Sequence, residues 1–198
     1  MKCSFSRGQL ERMRDMYVES YRRNREIAFP LCETSAGVDL GRKCVGEACA
    51  VSIKGCQRGQ KKVGFVHTHP HTAPWINQGD LMAGISGGER LACVVGNTKA
   101  PNISVGGHES ERAPPENLAV RCVDLHEVKG SGWFDQVRKE IKASVPQMKE
   151  ERKAQTEQWN RPGLKVRVHL DNTPTWYKLR DKYGFYPKAE DHCSVALK

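Results

Sequence analysis

Gly64-Phe65-Val66-His67-Thr68-His69-Pro70 is the stretch around which the predicted fold is built. Its small and apolar first half is typical of the end of a buried strand. His67 and His69 are two residues apart, so on an extended backbone their side chains project to the same side. Pro70 then ends the strand. The ten residues between His69 and Asp80 form a loop that can return the carboxylate to the two imidazoles.

Two histidines and one aspartate are the ligands that a catalytic zinc ion uses when its fourth position is left for water. The alternative is a pair of surface histidines followed by an unrelated aspartate at a helix start. Two histidines alone would favour that alternative. The joint pattern of a strand, His-x-His-Pro, a fixed gap and an Asp at a helix start is more specific. It predicts a Zn2+ site formed by His67, His69 and Asp80.

The same residues resemble a known family signature. His67-x-His69-Pro70 followed by Asp80 is similar to the motif of the JAMM (MPN+, JAB) zinc metalloproteases, which include zinc deubiquitinases and their archaeal and bacterial relatives. The family pattern is Glu, then His-x-His-Pro, then Ser-x-x-Asp. The resemblance covers about residues 8–125 and favours the archaeal and bacterial type of branch.

Two further site residues follow only from this resemblance. The catalytic Glu of the family stands at the start of a strand after the first helix, and it is matched to Glu26. Glu33, seven residues on, is the rival assignment and ranks below it. The family Ser falls on Asn77, which is a departure, although its amide is also a hydrogen-bond donor. Phe29-Pro30 also departs from the small residues that usually follow the Glu.

The resemblance implies a fold, an activity and partners. The fold is α/β and cytidine-deaminase-like: a mixed, mostly antiparallel curved sheet flanked by helices. The activity is hydrolysis of the isopeptide bond between the C-terminus of a ubiquitin-like or sulfur-carrier protein and a lysine or another amine. Zn2+ would activate water, Glu26 would act as general base, and Asn77 would steady the carbonyl oxygen. Trp75, in the site loop, would line the substrate cleft or cover the core edge.

Two other functions stay open at this point. One is a non-hydrolytic MPN-type scaffold or binding module, which the departures at Asn77 and Phe29-Pro30 favour. The other is a RadC-like association with nucleic acid, for which the net charge of +9 is the only support. The positive charges are scattered, and no recognised nucleic-acid module is present. A solvated basic surface is therefore the simpler interpretation of the charge.

Length and composition favour a soluble protein. The chain of 198 residues is long enough for one domain with an appendage. No apolar run reaches the length of a membrane span, and residues 1–7 lack the apolar core of a secretory signal. We expect a cytoplasmic location with no membrane partner.

Eight cysteines are present. None forms a Cys-x-x-Cys pair, and the spacing of the densest group is poor for structural zinc. In a cytoplasmic protein disulfides are not expected unless the source is a hyperthermophile. Cys32, Cys93 and Cys122 stand in apolar runs and are predicted to be small core residues.

Periodicity predicts the secondary structure and one boundary. Helices are expected at about 8–23, 78–86 and 174–183, and strands at 27–32, 44–53, 63–68, 91–96, 118–125 and 164–170, with a turn region at 34–43. A helical stripe begins at Trp133, and Pro146 should kink or restart that helix. We divide the chain into a JAMM/MPN metalloprotease domain, residues 1–130, and a C-terminal α+β extension, residues 131–198. The extension either forms a partner surface or is structural.

Overall fold

The computed structural model describes residues 4–47, 51–74, 76, 78–100, 112–160, 173–183 and 193–197. The helices are α1 (Arg7–Arg23), α2 (Gln78–Ser86), α3 (Leu125–Gly130), α4 (Trp133–Trp159) and α5 (Pro174–Tyr183). The strands are β1 (Ile27–Thr34), β2 (Gly37–Leu40), β3 (Cys44–Val45), β4 (Lys62–Thr68), β5 (Leu91–Asn97), β6 (Leu118–Asp124) and β7 (Cys193–Ala196). The strand predicted at 164–170 lies outside the described residues.

Helix α1 has a defined start and stop. Ser6 and Gln9 form a capping box, in which each side chain bonds the other residue's backbone N–H. Asn24 ends the helix in the left-handed conformation, with φ of 54°. The apolar stripe buries Met13 and Tyr17 completely. The helix predicted at about 8–23 is therefore confirmed.

The strands form one curled, mixed sheet in the order β2-β1-β4-β5-β6-β7, with β3 also paired to β1. The β4–β5 pair is parallel, and every other pair is antiparallel. Parallel neighbours need a crossover connection, and α2 lies in the segment that joins β4 to β5. The prediction of an α/β protein with a mixed, mostly antiparallel curved sheet flanked by helices is confirmed.

Side-chain alternation along the strands divides the core between the two faces of the sheet. Phe65 packs in the cluster that contains residues of α2, α3, α4 and α5. Val66, its neighbour in β4, packs in the cluster that contains residues of α1. His67 therefore lies on the face covered by α2, and Thr68 lies on the face covered by α1.

The C-terminal part of the chain contacts this core directly. Trp133, Phe134 and Val137 of α4 and Leu179 of α5 belong to the same cluster as Phe65, and β7 pairs with β6. Helix α4 continues through Pro146 and does not restart there. The boundary near residue 130 stays a prediction, and it falls between α3 and α4.

Two predicted elements near β1 and one omission after β6 need correction. Within the strand predicted at 44–53, Cys44–Val45 form a strand that pairs with Ala28 and Ile27, and residues 46–47 and 51–53 do not belong to a strand. Farther along β1, the neighbouring strand is Gly37–Leu40, in the predicted turn region. Helix α3 was not predicted; Asp124 caps it by accepting a hydrogen bond from the His126 N–H.

Disulfide bonds are a further correction. Cys32 is bonded to Cys56 and Cys93 to Cys122; Cys193 is also disulfide-bonded. Cys93 and Cys122 are direct partners in the β5–β6 register, a proximity that apolar patterning along one strand does not reveal. Cys44 is the free cysteine among the described residues. None of the helices in the described ranges has the length and apolar character that a membrane crossing requires.

Candidate metal centre

Strand β4 delivers the two histidines. His67 is the penultimate residue of β4, between Ala28 of β1 and Val94 of β5. His69 follows the strand, and its N–H donates to the carbonyl of Val95 at 2.9 Å. Only 3 % of His67 and 7 % of His69 is exposed. Both imidazoles are therefore held at the end of β4 and are almost closed to solvent.

Asp80 completes the group from the first turn of α2. Its Oδ1 lies 3.3 Å from Nε2 of His67, and its Oδ2 lies 3.7 Å from Nε2 of His69. The two Nε2 atoms are 3.0 Å apart. A tetrahedral zinc ion with bonds of about 2.0–2.2 Å keeps its ligand atoms roughly 3.3–3.6 Å apart. The three side chains therefore fit a metal ion with little rearrangement, as the predicted ligand set requires.

The second nitrogen of each ring is the next requirement of a metal site. Metal-binding histidines usually donate this N–H to a carboxylate or carbonyl, which fixes the ring. Nδ1 of His67 and Nδ1 of His69 are buried and form no hydrogen bond of normal geometry. The backbone at Cys93 and at Ala73 is nevertheless near enough to raise the respective pKa values. Those two carbonyl groups are the available partners for the rings.

The two imidazoles have opposite pKa shifts. Burial lowers the pKa of His67, but the Asp80 carboxylate beside it and Glu26 prevail and raise it to about 9. Burial and the charge of His67 together lower the pKa of His69 to about 4. Protonated His67 can thus donate to neutral His69 across the short Nε2–Nε2 contact. A metal ion bound by His67 and His69 would displace any proton on their Nε2 atoms, because histidine binds metal as the neutral imidazole.

Glu26 stands beside this cluster, between α1 and β1. Its N–H donates to the Glu47 carbonyl at 2.7 Å, and its own carbonyl accepts from the Gly46 N–H at 2.9 Å. Burial raises the pKa of the Glu26 carboxyl to about 7; His67 lowers it and Asp80 raises it. The carboxyl group is thus close enough to interact with both ligands.

Glu33, the rival assignment, is in a different environment. It is exposed near the opposite end of β1 and pairs with Val38 of β2. The structure therefore brings Glu26 to the cluster, and it does not bring Glu33 there. Trp75 and Asn77 lie outside the described residues, so their cleft and oxyanion roles stay predictions.

Sequence reasoning did not single out Ser20 and Thr68, two fully buried hydroxyl residues next to the site. Their Oγ and Oγ1 atoms lie 2.7 Å apart. One signal was present: Ser20 continues the buried stripe of α1 that contains Met13 and Tyr17. A hydroxyl on an apolar stripe indicates a buried partner, since an unpaired one would be destabilising.

The cluster of His67, His69 and Asp80 is the group among the described residues that could hold a metal ion. Its donors are two imidazoles and one carboxylate, with a second carboxyl group, that of Glu26, in electrostatic contact. Such a set suits a metal-dependent hydrolysis. No protein-family model matches the chain, and no curated protein matches it.

Proposed function

We propose that this protein is a JAMM-like zinc isopeptidase with the cytidine-deaminase-like JAMM/MPN fold. Its substrate would be a conjugate between the C-terminus of a ubiquitin-like or sulfur-carrier protein and a lysine or another amine. One observation carries the proposal: His67, His69 and Asp80 bring three ligand atoms together, and the half-buried Glu26 carboxyl interacts with two of these residues.

His67, His69 and Asp80 would hold the ion. Two imidazoles and a carboxylate suit zinc, and three protein ligands leave one coordination position open. In such a site zinc acts as a Lewis acid that makes water nucleophilic near neutral pH. Burial of the two histidines keeps bulk water away from the reacting groups, which strengthens their electrostatic interactions.

Glu26 would be the general base. An ordinary carboxyl group is a weak base near pH 7, because its pKa is far below that pH. Burial raises the pKa of Glu26 to about 7, so this carboxylate can take a proton from the attacking water and later give it to the leaving amine. Its position beside His67 supports this role, since the proton must move close to the ligands.

The sheet edge near Glu26 supports an extended substrate. β3 is the outer neighbour of the first two residues of β1, and the segment that follows it bonds to the Glu26 backbone. Val45 of β3 is 42 % exposed. A polypeptide tail can add to such an edge through main-chain hydrogen bonds, a mode that needs little side-chain information.

The test compares Glu26→Gln, just before β1, with Glu33→Gln, a matched control near the other end of that strand. Zinc-loaded proteins are incubated with lysine-linked diubiquitin and with a sulfur-carrier protein conjugated to lysine. Glu26→Gln should keep one zinc per chain but lower kcat by roughly two to four orders of magnitude, the usual contribution of acid–base catalysis. Glu33→Gln should cleave like the wild type, and a chelator should abolish cleavage.

Other outcomes would direct the assignment elsewhere. A Glu26→Gln protein as fast as the wild type would overturn the general-base role. Zinc retained after His67→Ala combined with His69→Ala would exclude the ligand assignment. Stable zinc binding without cleavage of any conjugate would favour the scaffold function, and salt-sensitive DNA or RNA binding without cleavage would favour a nucleic-acid function.

A further inference from the structure

A buried hydrogen-bond chain links the histidine strand to the backbone around Glu26. Thr68 lies between His67 and His69 in sequence, and its side chain points to the α1 face of the sheet. Its Oγ1 accepts from the Ile27 N–H at 3.0 Å and lies 2.7 Å from Oγ of Ser20. Ser20 Oγ in turn donates to the Arg25 carbonyl at 2.6 Å. Ser20 and Thr68 are both completely buried.

These contacts have one consistent direction. A serine hydroxyl has a single proton, and that of Ser20 is used on the Arg25 carbonyl. Thr68 must therefore donate its own proton to Ser20 Oγ, which leaves Thr68 Oγ1 to accept from the Ile27 N–H. The order is Ile27 N–H to Thr68, Thr68 to Ser20, and Ser20 to the Arg25 carbonyl. Every hydroxyl in this chain donates once and accepts once.

The two ends of the hydrogen-bond chain lie on either side of Glu26. Arg25 precedes Glu26 and Ile27 follows it, so the backbone is fixed on both sides of the proposed base. The centre of the chain is Thr68, which is bonded covalently to both histidine ligands. The Thr68 side chain thereby adds a direct link between the ligand strand and the backbone on both sides of Glu26, beside the hydrogen bonds of Glu26 itself with Glu47 and Gly46.

We propose that Ser20 and Thr68 are positioning residues that hold the Glu26 carboxylate in register with the metal ligands, an inference that rests on the proposed function. Neither hydroxyl is needed to touch substrate. Misplacement of a catalytic group by about 1 Å can lower a rate by roughly 100-fold. Loss of this hydrogen-bond chain should therefore lower kcat and leave substrate binding and the three metal ligands unchanged.

A general structural role would have a different signature. Tyr17 is also a fully buried residue of α1, but its hydroxyl donates to the Ala113 carbonyl at 2.9 Å and not to a neighbour of Glu26. Tyr17→Phe removes one buried hydrogen bond from the same helix. It is the matched control for changes that only weaken the packing of α1 on the sheet.

The test uses Thr68→Val, which keeps the side-chain shape, together with Ser20→Ala, Thr68→Ser and Tyr17→Phe. The first readout is hydrogen exchange of the Ile27 amide in the metal-free protein, measured relative to the other amides of β1. Thr68→Val should accelerate this exchange by about tenfold or more, the equivalent of one lost hydrogen bond. Thr68→Ser and Tyr17→Phe should leave it near the wild-type value.

The second readout is hydrolysis of lysine-linked diubiquitin. Thr68→Val and Ser20→Ala should lower kcat by roughly 10- to 100-fold with unchanged KM and unchanged zinc content. Thr68→Ser should restore most of kcat. In a Glu26→Gln background, Thr68→Val should cause little further loss, because the group that it positions is already inactive.

Unchanged Ile27 exchange in Thr68→Val overturns the inference, as does an equal loss of kcat in Tyr17→Phe. If Thr68→Val does not fold, the kcat of Ser20→Ala relative to Thr68→Ser and Tyr17→Phe tests the same link, and an unchanged kcat in Ser20→Ala overturns the inference. A wild type that cleaves no conjugate contradicts the proposed function and the catalytic role of the pair together. Hydrogen exchange of the Ile27 amide then separates failure of the proposed function from failure of this inference, since it reports whether the hydrogen-bond chain fixes the backbone around position 26.

Discussion

Removal of the Cys93–Cys122 disulfide should be among the most destabilising changes in the central sheet. The bond joins residues separated by 29 positions, and closing a loop of that size stabilises the folded state by about 3.5 kcal/mol in the chain-entropy model. Both residues are almost fully buried, so replacing each by Ala also leaves a small cavity that costs ~1 kcal/mol. Cys93→Ala combined with Cys122→Ala should therefore lose about 4–5 kcal/mol of unfolding free energy.

Guanidinium unfolding under non-reducing conditions measures this loss, which corresponds to a drop in Tm of roughly 10–20 °C for a chain of this size. Cys44→Ala is the matched control, because Cys44 is buried and free, and it should lose only about 1 kcal/mol. Thiol titration of the denatured wild type should detect neither Cys93 nor Cys122. A double variant no less stable than Cys44→Ala would refute the crosslink and its loop-entropy basis.

The remaining predictions concern one ion pair and one buried phenol. Lys62→Met should lower the free energy of unfolding by about 2–3 kcal/mol. The Lys62 ammonium lies 2.5 Å from the carboxylate of Glu89, whose side chain is only 9 % exposed, so the change leaves a nearly buried charge without this partner. Urea unfolding measures the loss, and Lys61→Met, at the exposed neighbouring position, should be near neutral. Burial raises the pKa of Tyr17 above its ordinary value of 10.0. The contribution of the neutral Tyr17 phenol to the free energy of unfolding is therefore fully present below pH 10 and declines by about 1.4 kcal/mol per pH unit above it. Tyr17→Phe should flatten the alkaline fall in stability, and an identical fall in both proteins would contradict this.

Local signals in the sequence were enough to predict the strand and helix that hold the candidate metal ligands. β4, α2 and the return of Asp80 to the histidines all follow from alternation, Pro70 and the short loop between them. Glu26 could be matched only through the family resemblance. Its proximity depends on the β1–β4 register, in which Ala28 faces His67, and no periodicity within β1 encodes that pairing.

Features that depend on pairing between distant strands were missed. β2 and the short β3 share one edge of β1, and apolar content alone wrongly extended β3 to residue 53. The Cys93–Cys122 bond requires β5 and β6 to be antiparallel in one particular register. Ser20 and Thr68 are 48 positions apart, and only the docking of α1 on the sheet brings their hydroxyls together.

The sequence separation within the site has a consequence for partially unfolded states. His67, His69 and Asp80 come from one continuous segment, whereas Glu26 reaches them only through the pairing of β1 with β4. Proteins open in cooperative local units that often coincide with supersecondary motifs. The Cys32–Cys56 bond holds the far part of β1 near β4, but if α1 and the first residues of β1 detach, His67, His69 and Asp80 stay together on β4 and α2 while the Glu26 carboxylate leaves. Under the proposed function, such an opened form would retain its ion and lack its general base, so metal content and activity would be lost at different stages of unfolding.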